Sequence, residues 1–294
     1  MATAVKTRGR TPIAERLTSG LFLLPAALLV TALLTAPFAA TIYRSFFDDR
    51  FIHQSFAGID NYRRMFSDTA VLKSLLNTLF WLIGTVVLPI GLGIAIAVMT
   101  SAIKWGRIAR LAIVLPYAIS GSAVAVVWNF MLQSDGAINK ALTSFGLGGH
   151  AWLLNWPMNT IVMIIANAWQ STGVAVILFL VGLQAIPAET IEAGALDGAY
   201  GWRRFRHIVF PQLRAVTVVI VGISLVNGLK AFDLIWVLSQ GGPARSTETL
   251  AVSMYWETFV LQRPGSGAAV AVVLTVVVIA VSWIYLRRQL RQSY

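Results

Sequence analysis

Six long apolar stretches restrict what this sequence can fold into. Each is a nearly unbroken run of Ala, Val, Ile, Leu and Phe, about the ~20 residues that an α-helix needs to cross a bilayer. We predict helical spans at residues 21–42, 77–99, 111–132, 160–183, 215–238 and 268–286. An outer-membrane barrel would instead show alternating segments of ~10 residues. The sequence therefore predicts an all-α, polytopic membrane protein with six transmembrane helices.

The composition excludes a soluble globular domain. Charged residues make up only 12% of the 294 residues and hydrophobic residues 57%, whereas soluble domains have ~25% charged residues. The first apolar stretch is longer than the ~7–15-residue core of a signal peptide, so we expect it to be retained. Cysteine is absent, which excludes a disulfide framework and a thiol nucleophile.

The positions of Lys and Arg predict the orientation, because cytoplasmic loops carry an excess of these residues. They concentrate in the N-terminal tail, the loops after spans two and four, and the C-terminal tail: Lys6, Arg8, Arg10, Arg16, Lys104, Arg107, Arg110, Arg203, Arg204, Arg206, Arg214, Arg287, Arg288 and Arg291. We therefore expect both termini to be cytoplasmic. We expect residues 1–294 to form a single transmembrane domain, with cytoplasmic segments at 1–20 and 186–213. The net charge of +11 reflects this topology, and no nucleic-acid partner is expected.

The sequence lacks the chemistry of a self-powered pump or an enzyme. No phosphate-binding loop of the Gly-x-x-x-x-Gly-Lys-Ser/Thr type occurs, and the 3 histidines lie in different loops. We expect no catalytic residue, no metal site and no cofactor in this chain. Within the spans, the clear ionisable pair is Lys230 and Asp233. A structural ion pair and the lining of a solute path are both open interpretations.

The segment 186–213, between spans four and five, predicts a helix–turn–helix. Pro187 suits the first turn of a helix, Gly198 and Gly201 permit a tight bend, and Pro211 should end a second, amphipathic helix. The apolar face of that second helix consists of Trp202, Phe205 and Ile208. We expect a compact projection with an apolar tip that suits docking to another protein.

This segment resembles the EAA loop of binding-protein-dependent ABC importer permeases, and we refer to residues 186–213 as the EAA-like loop. Gly194 stands where that family has alanine, and Phe210 replaces a leucine. In the family, this loop inserts a short coupling helix into a cleft on the ATPase subunit. The resemblance implies that the ATPase-coupling residues are Glu192, Ala193, Gly194, Ala195, Leu196, Asp197, Gly198 and Ala199.

Further motifs resemble the maltose and glycerol-3-phosphate type of sugar permease. They lie at residues 57–62, 115–120, 183–187, 232–235 and 241–249. The resemblance implies a type I importer fold in the cytoplasmic (inner) membrane, a second homologous permease subunit, and two subunits that bind ATP and Mg. It also implies an extracytoplasmic solute-binding protein that contacts Gly241, Gly242 and Pro243. The solute would be an oligosaccharide, a polyol or a glycerol phosphate.

Other classes remain open as alternatives. An amino-acid or peptide permease shares the EAA loop, but it lacks the Gly-Gly-Pro sequence. A stand-alone ion-coupled carrier would need carboxylates near the bilayer midplane. A membrane-embedded enzyme would need a clustered acidic or histidine site, which the sequence does not show.

Polar and small residues inside spans three to five are the candidates for a solute path, because sugars need hydrogen-bonding partners. They are Tyr117, Ser120, Gly121, Asn167, Gln170, Ser171, Ser224, Asn227 and Gly228. Most of these positions match the cavity-lining positions of maltose-type permeases, which is what the resemblance implies. Interhelical hydrogen bonding is the alternative role for each polar residue.

Overall fold

The protein is described by a computed structural model that covers residues 13–50, 53–101, 103 and 106–290. Residues 1–12 of the predicted cytoplasmic tail lie outside the described residues. The first apolar stretch forms a continuous span, Phe22–Arg44, none of which is buried inside the chain. It combines α1 (Ile13–Val30), a π-helical turn and α2 (Ala36–Arg44). A short antiparallel hairpin of β1 (Phe47–Arg50) and β2 (His53–Phe56) follows, which the sequence did not predict.

Within the described residues, four helices are long and apolar enough to cross a membrane, and up to six spans result if each bent helix pair is one span. After α3 (Asp60–Ser67), the long helices are α4 (Thr69–Ser101), α8 (Met158–Gln184) and α15 (Pro264–Leu290). The shorter helices are α7 (Ala137–Ser144), α9 (Ala188–Leu196), α10 (Gly201–Arg204), α11 (Phe210–Gln212) and α14 (Leu250–Tyr255).

The predicted third span bends next to Pro116, where the sequence favours a bend because proline disrupts a helix. It consists of α5 (Gly106–Val114), a 3₁₀ turn at Leu115–Ala118 and α6 (Gly121–Leu132). The chain bends by 105° at this break. The physical reason is local, because Pro116 lacks a backbone N–H and the next residues, Ile119 and Ser120, are extended with ψ of 144° and 150°.

The predicted fifth span, 215–238, is wrong as one helix. Its inner part is α12 (Arg214–Leu229) and its outer part is α13 (Asp233–Ser239), with a non-helical break between them. Gly228 has low helix propensity just before the break. Lys230 at the end of α12 and Asp233 at the start of α13 each have the charge that favours that helix end.

The core lies where α4 packs along α8, with α12 against α4 and α13 against α6. One buried cluster contains Trp81, Val124, Met163 and Ile235 and lies around the two breaks. A second cluster, with Phe179, Leu213 and Ile220 among its members, connects α4, α8 and α12 near the EAA-like loop. Small residues allow close approach: a Cβ at Gly93 would lie 2.7 Å from the Cβ of Ala175. The two helix breaks therefore lie beside one tightly packed bundle.

Candidate functional site

A cavity of about 360 Å³ lies between the two helix breaks, with α4, α8 and α12 completing its wall. This volume is within the ~300–1,000 Å³ of small-molecule sites. Most of the predicted path residues line it, namely Tyr117, Gly121, Asn167, Gln170, Ser171, Ser224 and Asn227. The structure thus brings together residues from three separate stretches of sequence, and their contact with solute stays a prediction.

The break in the third span is held by hydrogen bonds from both sides. Ser120 is the N-cap of α6, and its hydroxyl accepts a hydrogen bond from the Ala123 backbone N–H at 3.3 Å. From α8, the Gln170 Nε2 donates to the carbonyl oxygen of Ile119 at 2.6 Å. Ser120 therefore caps a helix and does not line the cavity, although the sequence placed it on the solute path.

Lys230 and Asp233 flank the break in the fifth span, and both line the cavity. Both side chains are exposed. In the described part of the chain, the ion pairs within 4.0 Å involve other residues. The interpretation as a structural ion pair is therefore wrong for this conformation, and the lining of a cavity is what the geometry shows.

Gly228 packs against α4 rather than lining the cavity. A Cβ there would collide with Thr85 Oγ1 and lie 3.3 Å from the Leu82 Cα. One turn before Gly228 on α12, the carbonyl oxygen of Ser224 lies 3.4 Å from the Thr85 hydroxyl. Gly228 is therefore a close-packing residue that lets α12 approach α4.

Three cavity residues on α4 were not predicted from the sequence, namely Trp81, Thr85 and Pro89. Their spacing of four places them on one helix face, and this is the signal that could have revealed them. Among the described residues, the Trp81 Nε1 is the buried side-chain nitrogen or oxygen without a hydrogen-bond partner. A buried donor without a partner is unfavourable by ~1–3 kcal/mol.

The EAA-like loop begins with α9, whose N-cap is Pro187 and whose C-cap is Asp197. The helix therefore begins and ends before the predicted coupling segment 192–199 does. Of that segment, only Glu192–Leu196 are helical. Gly198 has φ of +74° and forms the turn that follows, a conformation that L side chains rarely adopt. Leu196 is 90% exposed at the end of this helix.

The second half of the EAA-like loop packs under the first half. It consists of α10, a π-helical segment Phe205–Val209 and α11. Pro211 lies in the last turn of the helical stretch Gly201–Gln212, which ends one residue after the proline, as the sequence predicted. The Ile208 side chain lies directly against Gly194, so the two halves touch where the family's alanine is absent.

Residues 241–249, the Gly-Gly-Pro loop, fold back into the chain. Gly241, with φ of +85°, is buried, Gly242 is half-buried and Pro243 is exposed. Asn77 on α4 holds the loop, because its Nδ2 donates to the carbonyl oxygens of Ser246 and Glu248, each at 2.8 Å. Of the three residues predicted to contact a binding protein, only Pro243 presents an exposed side chain.

An ionic cluster fixes the same loop. Arg245 contacts Glu248 at 2.5 Å, Glu257 at 3.2 Å and Asp68 at 3.7 Å. Burial raises the pKa of Glu248, although hydrogen bonds from Arg245 and Ser253 oppose this rise. Burial alone would lower the pKa of Arg245, but the surrounding carboxylates outweigh it and raise that pKa.

The described residues contain no group of three or more His, Cys, Asp or Glu side chains that could hold a metal ion. In the ionic cluster, Arg245 is the cation that contacts the three carboxylates. The cavity and the two loops are therefore the features that bear on function.

Comparisons with known proteins agree with this geometry. Residues 71–292 match the family of binding-protein-dependent transport system inner membrane components. The chain is 32% identical to the osmoprotective compounds uptake permease protein GgtC of Synechocystis sp., over 91% of this chain and 97% of that protein. It is 31% identical to the alpha-glucoside transport system permease protein AglF of Rhizobium meliloti, over 96% and 85% of the two chains.

The fold also has a counterpart among solved structures. A chain of a bacterial ABC transporter involved in the import of the acidic polysaccharide alginate superposes with a TM-score of 0.81, at 21% identity and over 95% of this chain and 97% of that chain. The chain therefore belongs to the family of binding-protein-dependent transport system inner membrane components. It is a multi-pass inner-membrane permease subunit of an ABC importer, a transport protein and not an enzyme.

Proposed function

We propose that this permease subunit imports a carbohydrate that an extracytoplasmic solute-binding protein delivers. The observation that supports this most directly is the cavity between the two helix breaks, whose wall combines amide, hydroxyl and aromatic side chains. Sugars are bound by this combination, because it offers hydrogen bonds to hydroxyls and flat apolar faces to the ring. The relatives named for uptake of osmoprotective compounds and alpha-glucosides support the same solute class.

The complete transporter would contain this chain, a second homologous permease and two ATPase subunits that bind ATP and Mg. The apolar span Phe22–Arg44, unburied in this chain, leaves ample surface for a partner helix or for lipid. A solved alginate transporter of the same fold forms a complex with a periplasmic protein bound to an alginate pentasaccharide. We assign the corresponding partner role here to a solute-binding protein.

A continuous line of packed side chains connects the EAA-like loop to the cavity. Ile208 contacts Gly194 of α9, and its neighbours Phe205 and Val209 pack against the cluster that contains buried Leu213 and Ile220. Ile220 in turn lines the cavity. A displacement of α9 by a closing ATPase would therefore move α12 as a rigid element and change the width of the cavity.

This mechanism explains why three large apolar side chains of the EAA-like loop are exposed. Leu196, Tyr200 and Trp202 are 90%, 66% and 71% exposed, and nothing in the described residues of this chain covers them. Apolar side chains at the tip of a short helix suit a groove on a partner protein. We assign them, together with Glu192, to the contact with the ATPase.

The test is uptake by the reconstituted transporter in proteoliposomes. We expect ATP-dependent carbohydrate uptake, with Glu192→Ala and Gly198→Pro each abolishing uptake while the protein remains in the membrane. Lys140 is an exposed residue of α7. Lys140→Gln is therefore the control that should behave as wild type.

Other outcomes would favour the alternatives. Normal ATP-driven uptake by both variants would refute the role of the EAA-like loop. Uptake by the purified chain alone, without ATPase or binding protein, would indicate an ion-coupled carrier. Uptake of amino acids in place of sugars would identify a different permease class.

A further inference from the structure

Two charged side chains of opposite sign line the cavity, and the mechanism above does not use them. They are Lys230 and Asp233, and the other residues of the described wall are uncharged. Both side chains are exposed. Among the described residues, neither takes part in an ion pair within 4.0 Å. The ammonium and the carboxylate therefore face the cavity as separate groups.

A structural role accounts for part of this arrangement. Lys230 is the C-cap of α12 and Asp233 is the first residue of α13, so each charge has the sign that its helix end favours. This explains the signs of the charges. It does not explain why both charged groups lie in the wall of a cavity. A charged side chain stabilises a helix end equally well when it faces away from the cavity.

The surroundings indicate which solute suits these groups. The wall has a formal charge of zero, so an anionic solute attracted by Lys230 would also meet the Asp233 carboxylate. Hydroxyl groups have no such conflict, because each both donates and accepts hydrogen bonds. Asn227 and Ser171 supply further neutral partners, and Trp81 and Phe232 are aromatic residues of the same wall.

We propose that Lys230 and Asp233 bind the hydroxyl groups of an uncharged sugar or polyol, with the ammonium donating and the carboxylate accepting. This inference rests on the proposed function. It narrows the solute class, because it excludes glycerol phosphates and acidic sugars from the cavity.

The experiment uses the complete transporter in proteoliposomes and measures uptake and ATP hydrolysis in the same vesicles. The neutral probes are maltose, sucrose and mannitol, and the anionic probes are glycerol 3-phosphate and galacturonate. The variants are Lys230→Gln and Asp233→Asn, which remove each charge with little change of shape. Lys140→Gln and Asp135→Asn, exposed and outside the cavity wall, are the matched controls.

We expect wild type to import at least one neutral probe and neither anionic probe. Each cavity variant should lower that uptake about tenfold or more, because a hydrogen bond to a charged group is lost. ATP hydrolysis stimulated by the binding protein should stay within about twofold, since the EAA-like loop is intact. If Lys230 and Asp233 only stabilised helix ends, their variants would not lose uptake while keeping ATP hydrolysis.

Three results would overturn the inference while leaving carbohydrate import in place. These are import of an anionic probe by wild type, unchanged uptake by both cavity variants, and a parallel loss of uptake and hydrolysis in both. Wild type that imports amino acids but no carbohydrate would instead overturn the proposed function, and this inference with it.

Discussion

The EAA-like loop and the Gly-Gly-Pro loop both carry strong sequence motifs, yet they place those motifs in opposite environments. In the EAA-like loop, Leu196 is 90% exposed and Trp202 is 71% exposed. In the Gly-Gly-Pro loop, Thr247 and Glu248 are fully buried. The first arrangement suits a contact with another protein, whereas the second holds the chain's own helices together. A recognisable motif therefore does not by itself distinguish a docking surface from an internal brace.

The largest effect should come from breaking the brace. Arg245→Met removes the cation beside Glu248, whose side chain is fully buried and contacts Arg245 at 2.5 Å. A buried charge that loses its partner destabilises a protein by about 3–5 kcal/mol. We expect a large drop in the thermal unfolding midpoint in detergent. An unchanged midpoint would show that the cluster does not brace the fold, and Arg263→Met, outside the cluster's ion pairs, is the control.

The loss of stability in Arg245→Met should depend on pH in a defined direction. Burial raises the pKa of Glu248 above its ordinary value, so the folded state binds this proton more tightly than the unfolded state. Stability from this group is then fully present below the unfolded pKa and is lost as the pH rises through the folded pKa. Arg245→Met should therefore be less destabilised at about pH 5 than at about pH 8. The double variant Arg245→Met with Glu248→Gln should lose this pH dependence.

A matched pair of glycine substitutions tests the contrast more finely, beginning with the buried loop. Gly241 has φ of +85°, and a Cβ there would lie 2.7 Å from the Glu248 Cγ. A left-handed conformation is unfavourable for alanine by ~1–2 kcal/mol, and overpacking adds to it. Gly241→Ala should therefore destabilise the protein by about 2 kcal/mol in equilibrium or thermal unfolding.

The smallest effect should come from the second member of the pair, Gly194→Ala. This glycine is helical, and the atom that a Cβ would meet is the terminal Cδ1 of Ile208, which can rotate away. Alanine also gains ~1 kcal/mol in helix propensity over glycine. We expect a change in stability within about 1 kcal/mol. A loss as large as that of Gly241→Ala would mean that the EAA-like loop is as tightly packed as the Gly-Gly-Pro loop.

The sequence was sufficient for the apolar spans and the polar candidates but not for the helix breaks. Pro116 marked the bend in the third span, because proline has a recognisable local effect. The break near Lys230 has no proline, and the surrounding apolar pattern continues through Leu238. Local pattern therefore predicted one long helix there, and the end of α12 depends on how α13 packs against α6.

The candidate site shows the same division. Tyr117, Asn167 and Asn227 were identified as polar residues inside apolar stretches, and all three line the cavity. Trp81 was missed because an aromatic residue in an apolar span gives no contrast with its neighbours. Ser120 and Gly228 have the residue types of a solute path, but one caps a helix and the other allows two helices to approach.

The sequence by itself determined the membrane-spanning class, the resemblance to importer permeases and the positions of the two motif-bearing loops. These properties follow from the length of apolar runs and from fixed local spacings, which do not depend on distant contacts. Only the tertiary structure decided which residues face the cavity and which motif is buried. Burial and exposure depend on contacts between segments more than a hundred residues apart, such as the hydrogen bonds from Asn77 to Ser246 and Glu248.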